Sequence, residues 1–443
     1  MVRKQLQQAK QQNEGAEQIE SLSLKEVEIN RSIAFHIKDY SVFDIYGRCS
    51  VTDISSSLKD HEIAIEIFDN EIDNDREYGA FILRKGWLSP VLVDICKESE
   101  LQRYLITRPE KLYEEGSMFR SELSNLIWKP LSQYINNKDQ IYISLAGSLN
   151  LIAIEALDII NNSGSQMRCD IHRVTSTKNI HSHGENEKFN NAIVYGGIRY
   201  DISNLDAHSG TDNIINEIGY SVDRGSEEII PYLKGTKEEA ETIGTILMKN
   251  GIDGRVILGA EATEESIKLL SQNSPNIIHI ATHGFYKPRE AIKKTAFYDN
   301  NGEDEILAMQ RSGLLFAGSN EAWSGKIPTE REDGVLTAWE ISNLDLTNSN
   351  MVVLSACETG QGEVTEDGIE GLQRGFKRAG VESIVMSLWK VDDKATAMLM
   401  KSFYTALASG YGKHEALQKA KDTLKGKKRY SNPYYWAPFI MLD

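Results

Sequence analysis

The sequence predicts an α/β protein: a mostly parallel sheet flanked by helices, preceded by a smaller β-rich lobe. Three observations carry this. From Ile141 onward, short continuous apolar runs recur, as expected of strands buried on both faces. Stretches with helical spacing of their apolar residues lie between several of these runs, which is the pattern of parallel strands joined by crossover helices. Before them, EIAIEIF, YGAFILR and PVLVDIC (from Glu62 to Cys96) are separated by polar turn residues, as in an antiparallel meander.

In chain order, Glu110 to Ile135 spaces Leu112, Phe119, Leu123, Leu126 and Ile127 as one helical stretch that packs on the meander. Strands follow at 141–147, 192–197, 255–259, 277–282, 351–356 and 383–389. Helices are expected at Lys237 to Asn250, Glu264 to Gln272, Leu336 to Ser342, Ile369 to Ala379 and Lys394 to Ala408. Two polar segments, Val174 to Asn190 and Tyr286 to Glu332, interrupt the pattern; the second is long enough to be a surface insertion or a loop over an active site. The division expected is a helical or partly disordered segment over 1–50, a β-rich lobe with its helix over 51–138, and the α/β domain over 139–443. No fixed internal period indicates a solenoid.

With 49 basic against 65 acidic residues, the net charge of −16 opposes binding to nucleic acid and to anionic membranes. No apolar run approaches the roughly 18 residues that a membrane-spanning helix requires. The glutamine-rich start, Met1 to Ala16, has no apolar core of a signal peptide or anchor. Four scattered cysteines (Cys49, Cys96, Cys169, Cys357) build neither a disulfide framework nor a CxxC zinc site, and a reducing cytoplasm is expected.

Catalytic groups in open parallel sheets gather beyond the carboxyl ends of strands. Two strands here end in reactive residues: IIHIAT runs into His283-Gly284, and MVVLSA into Cys357. A histidine on a neighbouring strand tip can take the thiol proton and later protonate a leaving amine. The N–H groups of Gly284 and Cys357 suit an oxyanion hole. His279, four residues earlier inside the apolar run, reads as a core histidine. Cys49, Cys96 and Cys169 read as structural, and the His181 to His183 HSH is too sparse in ligands to make a metal site. No phosphate loop or dinucleotide fingerprint is present, and no cofactor or metal is expected.

The stretches IIHIATHGFY, RSGLLFAG, EDGVLTAWEISNLDL, VVLSACETGQGE, GIEGLQRGFKRAGVESIVMSLWKVDDKAT and YYWAPFIMLD resemble, in content and order, the motifs of CHAT-domain proteins, caspase-like cysteine peptidases related to separase. AGSLNLIAIEAL and GTKEEAETIGTIL resemble earlier elements of that domain, and 62–135 resembles the lobe that often precedes it. The resemblance implies a caspase-type fold with a pseudo-protease-like half over about 139–235 and a catalytic half over about 236–443. It further implies a His283 and Cys357 dyad, no cofactor, and a protein substrate. CHAT domains often follow tetratricopeptide repeats that sense or dock; none is visible here, so a regulatory partner or a separate sensing arm is expected. The LWKVDD of Leu388 to Asp393 resembles the separase segment that supplies an acidic residue to the specificity pocket, Asp393 being the closer match and Asp392 the alternative. Both aspartates equally suit a helix start near Lys394. Trp389 suits either the substrate groove or simple packing.

Three functions compete: a regulated endopeptidase, in a bacterial defence or cell-death response; a catalytically silent scaffold; and another thiol chemistry on a small molecule. Intact His283, Gly284 and Cys357 favour the first. An acidic pocket predicts basic residues before the scissile bond, arginine ahead of lysine. Loop ordering by a partner, or self-cutting at a basic residue of 286–332 such as Arg289, Lys293, Lys294, Arg311 or Lys326, is the expected switch.

Overall fold

The computed structural model describes residues 49–72, 75–182, 188–201, 229–286, 309–324, 331–355 and 366–443, the side chains of 181–182 and 366–370 excepted. The first half supplies strands β1 (Glu62–Ile72), β2 (Asp75–Arg84), β3 (Val91–Lys97), β4 (Gln140–Ser144), β5 (Ile159–Ile160), β6 (Gln166–Met167), β7 (Asp170–Arg173) and β8 (Asn191–Ile198). The second supplies β9 (Asp253–Gly259), β10 (Ile277–Ile280), β11 (Gly284–Tyr286), β12 (Ser312–Leu315), β13 (Val335–Thr337), β14 (Met351–Leu354), β15 (Ser383–Ser387) and β16 (Phe439–Leu442).

Eleven of these form one sheet in the order β3-β2-β1-β4-β7-β16-β15-β14-β10-β8-β9. Neighbours run antiparallel only at β3–β2, β2–β1 and β16–β15, so the sheet is mostly parallel, as expected. The meander is as predicted, and β1 joins it edge-on to the parallel strands by pairing with β4 from Glu62↔Gln140 to Glu66↔Ser144. The antiparallel β16–β15 junction reverses the sense of the sheet: β15, β14, β10, β8 and β9 all point opposite to β1, β4, β7 and β16. The carboxyl ends of the two blocks therefore lie on opposite edges.

The predicted strands all form, because Ile, Val and Leu runs of this length satisfy both faces of a covered sheet. β7 and β16, at the sheet's centre, were not among them. β7, DIHR, has a single apolar residue and so gives no apolar run to read. The helix expected over 110–135 is broken into Pro109–Leu112, Met118–Trp128 and a 3-10 turn at Ser132–Tyr134, with Gly116 in the left-handed region at φ 76° between the first two. Helices Lys234–Lys249, Glu264–Lys268, Glu366–Arg378 and Asp393–Ala408 match expectation, while Val51–Ser57, Glu98–Leu105, Ser319–Trp323 and Lys413–Lys425 are additional. Leu336 belongs to β13 instead of a helix; the helix there is Ala338–Ile341, capped by Thr337, whose hydroxyl accepts from the Glu340 N–H.

The segment 286–332 is more than a polar insertion. SGLL forms β12, fully buried and sandwiched antiparallel between β11 and β13, because its apolar run outweighs the polar flanks. Arg311 is 2% exposed and donates to the Tyr286 hydroxyl at 3.2 Å, so it is not a surface cleavage site. Residues 287–308 and 325–330, with Arg289, Lys293, Lys294 and Lys326, lie outside the described residues.

Helix Lys234–Lys249 turns Thr236, Glu239, Ala240, Ile243 and Leu247 inward along one stripe. Its first turn presses on Gly196 of β8, where any Cβ would collide with the Thr236 carbonyl. Only glycine permits this approach, which brings Glu239 close to the carboxyl ends of β10 and β14.

Candidate active site

After β10 the chain passes through Ala281 and Thr282 into His283, which is 2% exposed. Its backbone is fixed from β12: the Leu315 N–H donates to the His283 carbonyl at 2.9 Å, and the Thr282 hydroxyl donates to the Leu315 carbonyl. Thr282 Oγ1 also lies 3.0 Å from the Tyr200 hydroxyl, and the Tyr200 ring flanks the imidazole with centroids 5.1 Å apart.

The imidazole Nε2 stands 2.8 Å from the Pro231 carbonyl oxygen. A carbonyl can only accept, so Nε2 carries the proton and Nδ1 is left as the basic nitrogen of the neutral ring. Pro231 is itself held through Asn320. The Ile230 N–H donates to Asn320 Oδ1 at 2.7 Å, Asn320 Nδ2 donates back to the Ile230 carbonyl at 3.3 Å, and the Asn320 N–H donates to the Tyr200 carbonyl at 3.0 Å. The ring orientation is thus set by backbone groups that no motif encodes.

β14 pairs with β10 from Met351↔Ile277 to Leu354↔Ile280, and the Ser355 N–H continues the ladder to the Ile280 carbonyl at 3.0 Å. Cys357 follows two residues on and lies outside the described residues. Gly284 is buried in β11 opposite Leu314.

Beside Ser355, the first turns of Lys234–Lys249 and Asp393–Ala408 meet over a cleft of about 110 Å³ lined by Thr236, Glu239, Ser355, Lys390, Asp393 and Thr396. The two aspartates of the VDD stretch sit differently. Asp392 Oδ1 accepts from the Lys394 and Ala395 N–H groups, each at 3.1 Å, and caps the helix. Asp393 faces the cleft. Trp389 is 9% exposed, stacks on Tyr113 with centroids 4.9 Å apart and donates to the Tyr434 carbonyl at 3.1 Å; it is packed away from this cleft.

Glu239, not singled out from sequence, is 7% exposed at the cleft floor. Its Oε1 comes within 3.1 Å of His279 Nε2, but off the line of a hydrogen bond, and neither atom has a hydrogen-bond partner. His279 is fully buried, with Nδ1 3.1 Å from the Tyr404 hydroxyl, as its place inside the apolar run predicted. The signal for Glu239 was its phase: it shares the inward stripe of Ile243 and Leu247, whereas Glu238 and Glu241 do not.

A family model described as "CHAT domain" matches residues 119–442. The chain belongs to the CHAT domain family. It is 28% identical over 197 residues to human tetratricopeptide repeat protein 28 and 27% identical over 197 residues to the mouse protein of that name. Each alignment covers 42% of this chain and 8% of the relative, so the chain spans only a small part of the curated relatives it matches. Among solved structures, the Arg-specific cysteine proteinase gingipain R matches with a TM-score of 0.35 and 8% identity, covering 78% of this chain and 74% of that one. The complex of Porphyromonas gingivalis RgpB pro- and mature domains gives 0.35 and 8%, covering 78% and 75%. Those scores are too low for either overlay to say anything about this chain.

The other cysteines of this CHAT protein are poor nucleophiles. Burial pushes the Cys96 thiol up to about 12, and burial likewise raises Cys169 and Cys49, so all three stay protonated near neutrality. Among the described residues no metal-ligand cluster includes His283. The second histidine of HSH, His183, lies outside the described residues. No described helix is long and apolar enough to cross a membrane.

Proposed function

We propose that this chain is a cysteine endopeptidase acting through His283 and Cys357. The observation that carries the reading is the locked imidazole: Nε2 is committed to Pro231, which leaves Nδ1 as a base at the tip of the strand beside the one that leads into Cys357.

Nδ1 takes the Cys357 thiol proton and the thiolate attacks the scissile carbonyl carbon. The N–H groups of Gly284 and Cys357 receive the oxyanion. The imidazolium then gives its proton to the leaving amine as the C–N bond breaks, leaving a thioacyl intermediate. Water, deprotonated by Nδ1, attacks that acyl carbon; the C–S bond breaks and the proton returns to sulfur.

The substrate is a protein with a basic residue before the scissile bond, arginine ahead of lysine. Support comes from Glu239 and Asp393, two carboxylates in a cleft that starts at Ser355, with Lys390 the one lysine or arginine among its described lining residues. A planar guanidinium meets a carboxylate through two parallel N–H bonds, a fork that the ammonium of lysine lacks. Regulation by a partner, or by a tetratricopeptide-type arm like that named in the relatives, belongs to the same proposal.

The test is digestion of a peptide library by wild type and by Cys357→Ala. Cleavage after arginine by the wild type alone is expected, with His283→Ala slower by about a hundred- to ten-thousand-fold. Cleavage retained by purified Cys357→Ala would end the proposal; cleavage after large apolar residues would end the pocket assignment and leave the dyad.

A further inference from the structure

On the sheet edge opposite His283, side chains from β7, the residue after β16, and the helix Lys413–Lys425 converge. Asp170 and His172 are two apart in β7 and project from the same face; His172 Nε2 lies 2.9 Å from Asp170 Oδ2. The His414 ring stacks on the His172 ring with centroids 3.8 Å apart and planes 26° from parallel. His414 Nε2 meets Asp443 Oδ2. Asp443 is 2% exposed, and its other oxygen accepts from Ser383 Oγ at 2.6 Å. One donor atom from each of His172, His414 and Asp443 lies within 4.8 Å of the others.

Three features distinguish this group from an incidental pairing of charges. Its donors are two imidazole nitrogens and carboxylate oxygens, the mixture that suits zinc and similar borderline ions, where an all-carboxylate cluster would suit calcium or magnesium. The donors come from three separate elements, β7, the residue after β16 and the helix Lys413–Lys425, so they meet only in the folded chain. Ser383 holds one carboxylate oxygen of Asp443 and so orients the other toward the histidines, as outer-shell partners of metal ligands do.

Of the amines nearby, Lys421 lines the same cavity as Asp170 and His414, where burial pushes its pKa down to about 8; the others are engaged elsewhere. Lys377 donates to the Glu382 carbonyl at 2.6 Å, Lys413 to the Glu382 carboxylate at 3.0 Å, and Arg173 to Glu155 at 3.0 Å. The other ligand-spaced group among the described residues, Glu264 with Glu332 and Glu340, contains the Lys268 ammonium at 2.6, 3.1 and 3.1 Å, and its cation is therefore built in.

We infer that His172, His414 and Asp443, with Asp170 as fourth donor, form a binding site for a zinc-class divalent ion. The ion would tie β7, the segment after β16 and the helix Lys413–Lys425 together across the centre of the sheet. Its two negative ligands would neutralise it.

The experiment uses full-length Cys357→Ala, so that zinc cannot report on the proposed nucleophile. The protein is stripped with a chelator, titrated with ZnCl₂ against a chromophoric competitor, and titrated separately with CoCl₂ for ligand-field absorption. One equivalent of zinc with a Kd below about 1 µM is expected. His414→Gln and His172→Ala should each weaken it by on the order of a hundredfold and abolish the zinc-dependent rise in Tm, and Asp170→Asn by about tenfold. His181→Ala/His183→Ala should change nothing. If His172→Ala fails to fold, partly exposed His414 decides the matter through His414→Gln. Zinc binding no tighter than about 0.1 mM, or tight binding that both His414→Gln and Asp170→Asn leave unchanged, would overturn the site.

Discussion

Two groups of carboxylates sit at different depths of the same sheet system and have opposite solutions to the same electrostatic problem. Around Lys268, three glutamates from separate elements receive one ammonium, and Glu264 also accepts the Gly334 N–H at 2.9 Å. The three carboxylates share a cation that the chain supplies, while burial and the neighbouring Glu340 raise the Glu264 pKa to about 8, and the result is a brace between the helix Glu264–Lys268 and the turn leading to β13. At the cleft floor, Glu239 Oε1 is buried with no hydrogen-bond partner. Leaving a carboxylate oxygen so placed costs stability. The contrast is between acids whose partner the fold supplies with good geometry and one whose oxygen lies beside His279 without a hydrogen bond, the one that the proposed reading gives to the substrate's cation.

The largest expected effect tests that distinction directly. Glu239→Gln should lower kcat/KM for arginyl peptides by on the order of a hundredfold, since a buried ionic partner of the substrate is lost, while leaving Tm unchanged or raised. Asp393→Asn, at an exposed position, should cost about tenfold or less. Kinetics on paired arginyl and neutral peptides check both. If Glu239→Gln leaves the arginine preference intact, the two carboxylate groups do not differ in the way argued.

Lys268→Met should do the reverse, destabilising the fold by about 2–3 kcal/mol without altering cleavage preference, because it leaves three carboxylates facing one another. Burial opposes the Lys268 charge, but Glu340 and Glu264 more than offset it and raise its pKa above the ordinary lysine value. Its contribution is therefore fully present below about pH 10.5 and fades only above. In Lys268→Met the penalty should shrink on acidification as the glutamates protonate, which a Tm series against pH would show.

Lys421 gives the smallest effect and the opposite sign. Burial pushes its pKa down to about 8, with Glu155 only partly restoring it. The unfolded chain then holds more protons between pH 8 and the ordinary value near 10.5, so stability rises with pH across that window. Lys421→Met should flatten this slope and stabilise the protein at pH 7 by roughly 1–2 kcal/mol, read from denaturant midpoints.

Much of this was legible in the sequence, and what was not has a physical reason. β8, β10, β14 and β15 announce themselves because strands buried on both faces need unbroken apolar runs, and His283 stands out as the polar residue just past one of them. Asp392 and Asp393 could not be told apart by type, since both suit a helix start; only backbone geometry gives one the cap and the other the cleft. The Pro231 carbonyl that fixes His283 carries no side-chain signal at all, and it reaches the ring from 52 residues away. His172 and His414 fall on a short strand and a helix start with unremarkable neighbours, so their meeting depends wholly on the long-range placement of β7.

The position of β16 sets an order of events during synthesis. It lies between β7 and β15, and Thr175 Oγ1 bonds the Asp443 carbonyl across a separation of 268 residues. A nascent chain that has not yet released 439–442 from the ribosome carries two apolar strand edges that face each other across a one-strand gap, each able to recruit a foreign strand. Until 439–442 arrives, the middle of this sheet stays open, and one short segment decides whether its two halves join.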